Sequence, residues 1–415
     1  MGSFIRLSPA VPLSLVFLHQ YFFPELAGSA QQLTDLALGL KERGYSIRVV
    51  TGQPSYSLKG KLPNRENFKG IQIYRVPKLQ LSREGSLGRI LSSVSFFLMA
   101  FLKVFWMNPQ ALLVIGSDPP FLPLLGWFFR KVRGQRYILV VSDIYPDIAV
   151  ALGELRRKSW IVRVLELSNR MGYPSAEKIV VLGEKMAECL QAKFPKGQGR
   201  EKIQVIPNWA NGNWIRPLAK SENRFCVKHK LLDRFVVLFS GNLGKIYNFE
   251  DVLDAASSLA GNSSVEFLFI GDGPVRKVLE KEAAARGSTH IRFLPYQPAD
   301  ELPYSLSCGD LALIPLKKEA AGLCVPGKLY YALAAGLPLL VIAPEDSEPA
   351  RIVRENDCGW SIPPGNAESV VNLLRELSKE PSLLAEKRRR SRACFEAFFT
   401  RQRAILQYES VFSSL

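Results

Sequence analysis

The chain has 415 residues, 47% apolar and 22% charged; this excludes a disordered chain and, at roughly 100–200 residues per domain, points to two domains. Its 30 Gly and 27 Pro follow no period, which excludes collagen-like and coiled-coil architectures. The net charge of +16 is uneven: residues 1–215 hold 28 Lys and Arg against 14 Asp and Glu, a surplus of 14, and residues 216–415 hold 26 against 24, a surplus of 2, so the first half is the one expected to meet an anionic partner.

In chain order, residues 13–18 form a short apolar run that predicts a strand, and residues 20–30 a Phe-, Pro-, Gly- and Ser-rich loop. Leu33, Leu36, Leu38 and Leu40 follow in a helix ending at Arg43 and Gly44. Further strands are predicted at 46–51, 71–76, 111–115, 137–141 and 179–181, with helices between several of them. Residues 206–217, rich in Pro, Asn and Gly and without periodicity, read as a linker. The pattern then restarts, with strands at 235–240, 266–270, 291–294, 311–315, 337–342 and 359–362 and helices at 248–259, 275–286 and 326–335. Residues 366–415 read as helix broken near Pro381. Short buried strands alternating with helices predict two successive parallel α/β domains.

Residues 11–18 with the small residues Ala27 to Ala30 resemble a leader and cleavage site, but His19, Gln20 and Glu25 interrupt them, and the strand–loop–helix reading is preferred. The longest uncharged apolar run, 90–102, has 13 residues between Arg89 and Lys103; a second, 119–129, has 11 and three prolines. Neither reaches the roughly 18–20 residues that span a bilayer. Basic flanks, Arg89 and Lys103 on the first and Arg130, Lys131, Arg133 and Arg136 behind the second, fit either a segment lying in a membrane surface or a buried helix with a solvated end. The six Cys are scattered and the only His are His19, His229 and His290, so no zinc site is expected, and the thiols fit a reducing cytoplasm.

Ligands of parallel α/β domains bind beyond the strand C-termini, where helix N-termini present free N–H groups. Gly241, Asn242, Leu243, Gly244 and Lys245 follow the 235–240 strand, and two glycines and a lysine there admit a phosphate or an ordinary tight turn. Gly271, Asp272 and Gly273 follow 266–270, but Arg276 stands where a GxGxxG has its third glycine, so no nicotinamide fingerprint is expected. Pro326-Gly327-Lys328 is the most specific loop: proline at a helix start, bared backbone and a fixed cation suit a pyrophosphate without a metal. Gly28 and Ser29 bring backbone amides toward the same ligand. Asp143 and Asp147 lie beyond the 137–141 strand, where either accepts a proton from a hydroxyl nucleophile or caps a helix.

These motifs, together with Tyr21 to Ala30, Asp143-Ile144-Tyr145-Pro146, Ile206-Pro207-Asn208-Trp209, Phe269 to Pro274 and Ala334 to Pro338, resemble the family 4 glycosyltransferases, closest to those building O-antigen, colanic acid and exopolysaccharide. The resemblance implies the GT-B fold: an acceptor domain over 1–207, a donor domain over 208–394 and a final helix over 395–415 crossing back. It also implies retaining transfer from a nucleotide diphosphate sugar to a lipid-linked or polysaccharide acceptor, without cofactor, metal or nucleic acid. Such an enzyme would be cytoplasmic and peripheral on the inner membrane face. Gly241 to Lys245 and Pro326 to Lys328 would hold the pyrophosphate, and Gly28 and Ser29 would close over it. The family's paired glutamates fall on Leu323 and Tyr331, its loop arginine on Asn242 and the His before its Asp on Ser142. A sugar-nucleotide epimerase of the same fold, or a binding protein that has lost turnover, are the other readings.

Overall fold

Most strands are short runs rich in branched and aromatic residues, too short for stable helices, and the central ones are buried on both faces. In the computed structural model, which describes residues 13–25, 28–54, 61–79, 86–195, 198–259, 264–380 and 382–415, they build two sheets. The first contains β1 (Ser14–Leu18), β2 (Ser46–Gly52), β3 (Arg65–Phe68), β4 (Ile71–Val76), β5 (Leu112–Gly116), β6 (Tyr137–Val141), β7 (Lys178–Val181) and β8 (Ile203–Val205), ordered 3-4-2-1-5-6-7-8. The second contains β9 (Phe235–Ser240), β10 (Val265–Ile270), β11 (Ile291–Leu294), β12 (Leu311–Pro315), β13 (Leu339–Ile342) and β14 (Gly359–Ile362), ordered 11-10-9-12-13-14.

All pairings between these strands are parallel except β3 with β4. That hairpin departs from the purely parallel expectation because Lys69 and Gly70, both at positive φ (49° and 82°), turn the chain tightly back. β8 is a second addition: it pairs with β7 just ahead of the expected linker.

Alternation along each strand divides the first domain into two layers. Leu15 and Phe17 of β1 pack with Leu33, Leu36 and Leu40 of the helix Gly28–Glu42. Val16 and Leu18 face the other way, into a core built by the helices Ser86–Phe105, Pro123–Arg133 and Trp160–Ser175. The same core runs on into the second domain through Cys324, Val325 and Leu329, so the domains share apolar packing.

Residues 206–217 are not a loose tether. Trp209 and Ile215 are buried, Ala210 pairs with Thr400, and Trp209 Nε1 donates to Asp35 Oδ2 at 2.7 Å. The end of the chain forms three helices, Ala367–Lys379, Ser382–Phe398 and Arg401–Ser413, so a break falls at residues 399–400 as well as beside Pro381, which lies outside the described residues. Arg401–Ser413 crosses back onto Gly28–Glu42, where Gly39 accommodates Ile405: a Cβ there would lie 2.1 Å from Ile405 Cδ1. Arg401 Nε donates to Asp35 Oδ1 at 2.6 Å, and its Nη1 reaches Glu42 at 2.9 Å.

Asp35 thus ties the linker and the returning helix to the first domain. Asp35→Ala leaves the Trp209 indole N–H without its acceptor and Arg401 with Glu42 as its remaining carboxylate, which costs about 2 kcal/mol. Urea unfolding should show that loss, with proteolysis cutting first near residue 400; an unchanged midpoint would show that the anchor contributes nothing.

Candidate active site

The C-terminal ends of the two sheets meet across a cleft, and main chain joins them. Asp143 pairs with Cys324 as an antiparallel bridge, and Ile144 N donates to Leu323 O at 2.9 Å. Two ion pairs close the flanks: Lys245 Nζ to Glu154 at 2.9 Å and Lys185 Nζ to Asp346 at 2.8 Å.

On the first-domain side, three strand ends bring polar groups together. His19, after β1, is buried; its Nδ1 lies 2.7 Å from Tyr21 O, and its Nε2 lies 3.5 Å from Asp118 Oδ2. Gly116 closes β5 because a Cβ there would sit 2.2 Å from the His19 ring. Ser29 Oγ, in the first turn of Gly28–Glu42, donates to Asp118 Oδ2 at 3.4 Å, and a side chain at Gly28 would meet nothing within 4 Å. Asp143 follows β6 and is half-buried. Burial first, and the Asp118 charge second, push its carboxyl up to about 7.

On the second-domain side the glycine loops have a different role from the one expected. Gly271 (φ 141°) is required because a Cβ would fall 2.0 Å from Gly241 O, and Gly273 because one would fall 2.5 Å from Leu243 O. The two loops are laced together: Gly241 N donates to Ile270 O and Leu243 N to Asp272 O, both at 2.8 Å. Asp272 Oδ1 accepts from its own neighbour Gly273 N at 2.7 Å, so the carboxylate caps its own turn. Gly271, Asp272 and Gly273 therefore brace the Gly241–Gly244 loop, and the amides of Gly241 and Leu243 are engaged. Lys245, read as a phosphate partner, is held by Glu154 instead and must leave it to serve one.

Lys328 is the cation at the centre. It opens the helix Lys328–Ala334 behind Pro326, and its Nζ lies 3.0 Å from the centroid of the Phe239 ring, 4.2 Å from that of Tyr247 and 3.5 Å from Asn242 O. Among the described residues no carboxylate pairs with it. Desolvation holds its pKa well below that of a free lysine. A Cβ at Gly327 would meet nothing within 4 Å, so the backbone before Lys328 is bare. Tyr331 is half-buried, and burial pushes its phenol up to about 12, so this position carries no charge at neutral pH. Leu323 acts through its carbonyl, as the acceptor that joins the domains. Among the described residues no group of three or more His, Cys, Asp or Glu side chains could hold a metal ion.

The sequence reading missed His19, Asp118 and Glu154. A signal for Asp118 existed: Ser117-Asp118 ends β5 as Ser142-Asp143 ends β6, and Ser117 Oγ accepts from Ser142 N at 3.2 Å.

Comparison with known proteins divides the chain as the sheets do. Residues 27–209 match the glycosyl transferase 4-like domain, and residues 221–393 match the glycosyl transferases group 1 domain. The probable glycosyltransferase WbjE of Pseudomonas aeruginosa is 29% identical over 262 residues, 63% of this chain and 64% of WbjE, so that match spans slightly under two thirds of the relative. The putative colanic acid biosynthesis glycosyl transferase WcaI of Escherichia coli is 26% identical over 76% of this chain and 79% of its own length. Among solved structures, a sucrose-phosphate synthase from Thermosynechococcus elongatus superposes with a TM-score of 0.77 at 15% identity, covering 97% of this chain and 100% of that one. HepE of Anabaena, solved in complex with UDP and glucose, gives 0.72 at 16% identity and the same coverage.

The raised Asp143 carboxyl makes a stability prediction. Its folded-state pKa lies above the unfolded value, so the fold favours the protonated form, and this group's contribution is lost as pH rises from about 4 through 7. Asp143→Asn should gain melting temperature over wild type progressively between pH 4 and pH 7 and hold that gain above it. A gap that does not change with pH would sink the assignment.

Proposed function

Because the chain belongs to the glycosyltransferases of family 4, with their GT-B fold, we propose that it moves a sugar, with retention of anomeric configuration, from a nucleotide diphosphate donor to a lipid-linked or polysaccharide acceptor. The observation that carries this reading is Lys328: a desolvated amine without a carboxylate partner among the described residues, beside bare backbone at Gly327 and four residues beyond the Cys324 that bridges to Asp143. A uridine diphosphate sugar is the first donor to test, since HepE shares the fold and was solved with UDP-glucose. The name of WcaI places that relative in colanic acid biosynthesis, which supports a cell-surface polysaccharide as the product's destination and a peripheral position on the cytoplasmic membrane face.

In this reading the diphosphate docks between the Gly241–Lys245 loop and Pro326-Gly327-Lys328, with Gly28 and Ser29 over it. The Lys328 ammonium stabilises the charge that grows on the leaving oxygen as its bond to the anomeric carbon breaks. The acceptor hydroxyl forms the new C–O bond on the same face and gives its proton to the leaving diphosphate. Asp143, with Asp118 and His19 behind it, accepts a hydrogen bond from that hydroxyl and orients it. Acceptor binds the first domain, donor the second.

Calorimetry with a panel of nucleotide sugars tests the reading. Wild type should bind one donor class. Lys328→Met should bind about 30-fold more weakly, the loss of one charge-assisted contact of about 2 kcal/mol. Equal binding by Lys328→Met would refute the pyrophosphate site. Interconversion of donor epimers without acceptor would make the protein an epimerase, and no donor binding at all would make it a binding protein without turnover.

A further inference from the structure

The helix Ser86–Phe105 is apolar on its outer side as well as its inner one. Phe96, Ala100 and Val104 are fully buried against the sheet. Leu91, Val94, Leu98, Leu102 and Phe105 recur every three or four residues on the opposite side and are 39–53% exposed, and Trp106 beyond them is 83% exposed. A surface helix normally turns polar residues to water, yet residues 90–102 contain no charge at all.

A second stripe lies in the same helical layer. Trp160, Val164 and Leu167 of Trp160–Ser175 are 69%, 42% and 50% exposed at helical spacing. Both helices pack against Pro123–Arg133: Phe101 meets Phe129 at 5.3 Å between ring centroids, and Phe97 meets Phe121 just ahead of that helix at 5.4 Å, while Gly172 abuts Pro123. Basic residues border this layer. Arg156, Arg157 and Lys158 precede Trp160, Arg163 and Arg170 are exposed on its helix, and Lys131 is exposed on the middle one. Glu166 is the only acidic residue in Trp160–Ser175.

We propose that this three-helix layer is a docking face for an anionic lipid bilayer, with both stripes lying in the plane of the headgroup–acyl boundary and the basic border on the phosphates. The composition separates a bilayer from a second copy of the chain, which in a symmetric pairing would set basic border against basic border. No described helix is long and apolar enough to cross a membrane, so contact is in-plane. The inner side of the helix Ser86–Phe105 reaches the cleft: Ser93 Oγ donates to Gln20 Oε1 at 3.3 Å, and Gln20 N donates to Asp118 O at 2.9 Å. An acceptor anchored in that bilayer would present its head beside Asp118 and Asp143, and in this the inference rests on the reading above; lipid binding itself does not.

Flotation of the full chain with phosphatidylethanolamine–phosphatidylglycerol vesicles, against phosphatidylcholine alone, tests it. Wild type should float with the anionic vesicles, with a blue shift of tryptophan emission, and should be released by 0.5 M salt. Leu98→Glu/Leu102→Glu, and separately Arg156→Glu/Arg157→Glu, should each lower the bound fraction about tenfold or more, since each basic residue near an anionic surface contributes about 1 kcal/mol. Donor binding and the melting temperature, measured on the same preparations, should stay at wild-type values; they separate failure to fold, and failure of the donor site, from failure to dock. Absence of wild-type flotation, or undiminished flotation by both variants, would overturn the proposal. So would a concentration-dependent dimer abolished by Leu98→Glu/Leu102→Glu in a protein that ignores vesicles.

Discussion

The backbone hydrogen bond from Ile144 to Leu323 fixes the distance between the two sheets, and most of the site's chemistry follows from that distance. With main chain in register across the cleft, Asp143 and Cys324 become neighbours, and the apolar core continues from one domain into the other. The same approach buries charges that an open cleft would leave hydrated. Side-chain ion pairs at the flanks add little by themselves, since exposed pairs contribute on the order of 0–1 kcal/mol. They do give the closure a polar component that an incoming phosphate can compete for, at Lys245 above all.

Desolvation acts oppositely on the two sides. It raises the pKa of the Asp143 carboxyl and lowers that of the Lys328 amine, so burial disfavours the charged form on both sides. The aromatic rings of Phe239 and Tyr247 receive the lysine where a carboxylate would have neutralised it permanently. A ring face attracts a cation without competing as a covalent anion would, and so leaves Lys328 available to a ligand. On the opposite side, Asp118 lies between His19, Ser29 and Asp143, which makes its charge the main adjustable influence on Asp143.

The strands were legible because parallel strands buried on both faces are uninterrupted apolar runs; the 137–141, 235–240 and 311–315 predictions coincide with β6, β9 and β12. β3 escaped because Arg65-Glu66-Asn67-Phe68 is an edge strand with a polar outer face, recognisable only through the Lys69-Gly70 turn. Glycine-rich loops after strands were correctly placed at the cleft, but their sequence cannot distinguish backbone that approaches a ligand from backbone that approaches another loop. Gly271 and Gly273 belong to the second kind, and Gly28 and Gly327 have no protein atom in the position of a Cβ. Lys328 was legible from its Pro-Gly context, whereas its aromatic surroundings come from residues 80 and more positions away. Residues 206–217 looked like a tether because buried Trp209 and Ile215 follow no period, being anchored singly rather than as a face.

The returning helix Arg401–Ser413 has a consequence for the order of synthesis. Leu33, Leu36 and Leu40 belong to a core that Ile405, Tyr408 and Phe412 complete, so that side of the first domain is covered by a segment made long after the domain's own strands. At about 5–20 residues per second, the roughly 200 residues between β8 and that helix take on the order of ten to forty seconds to emerge. Through that interval the nascent first domain presents an apolar groove shaped for a helix it does not yet have. Any chaperone that attends this chain on the ribosome would be expected to recognise that groove, and a chain released before residue 401 would carry it permanently.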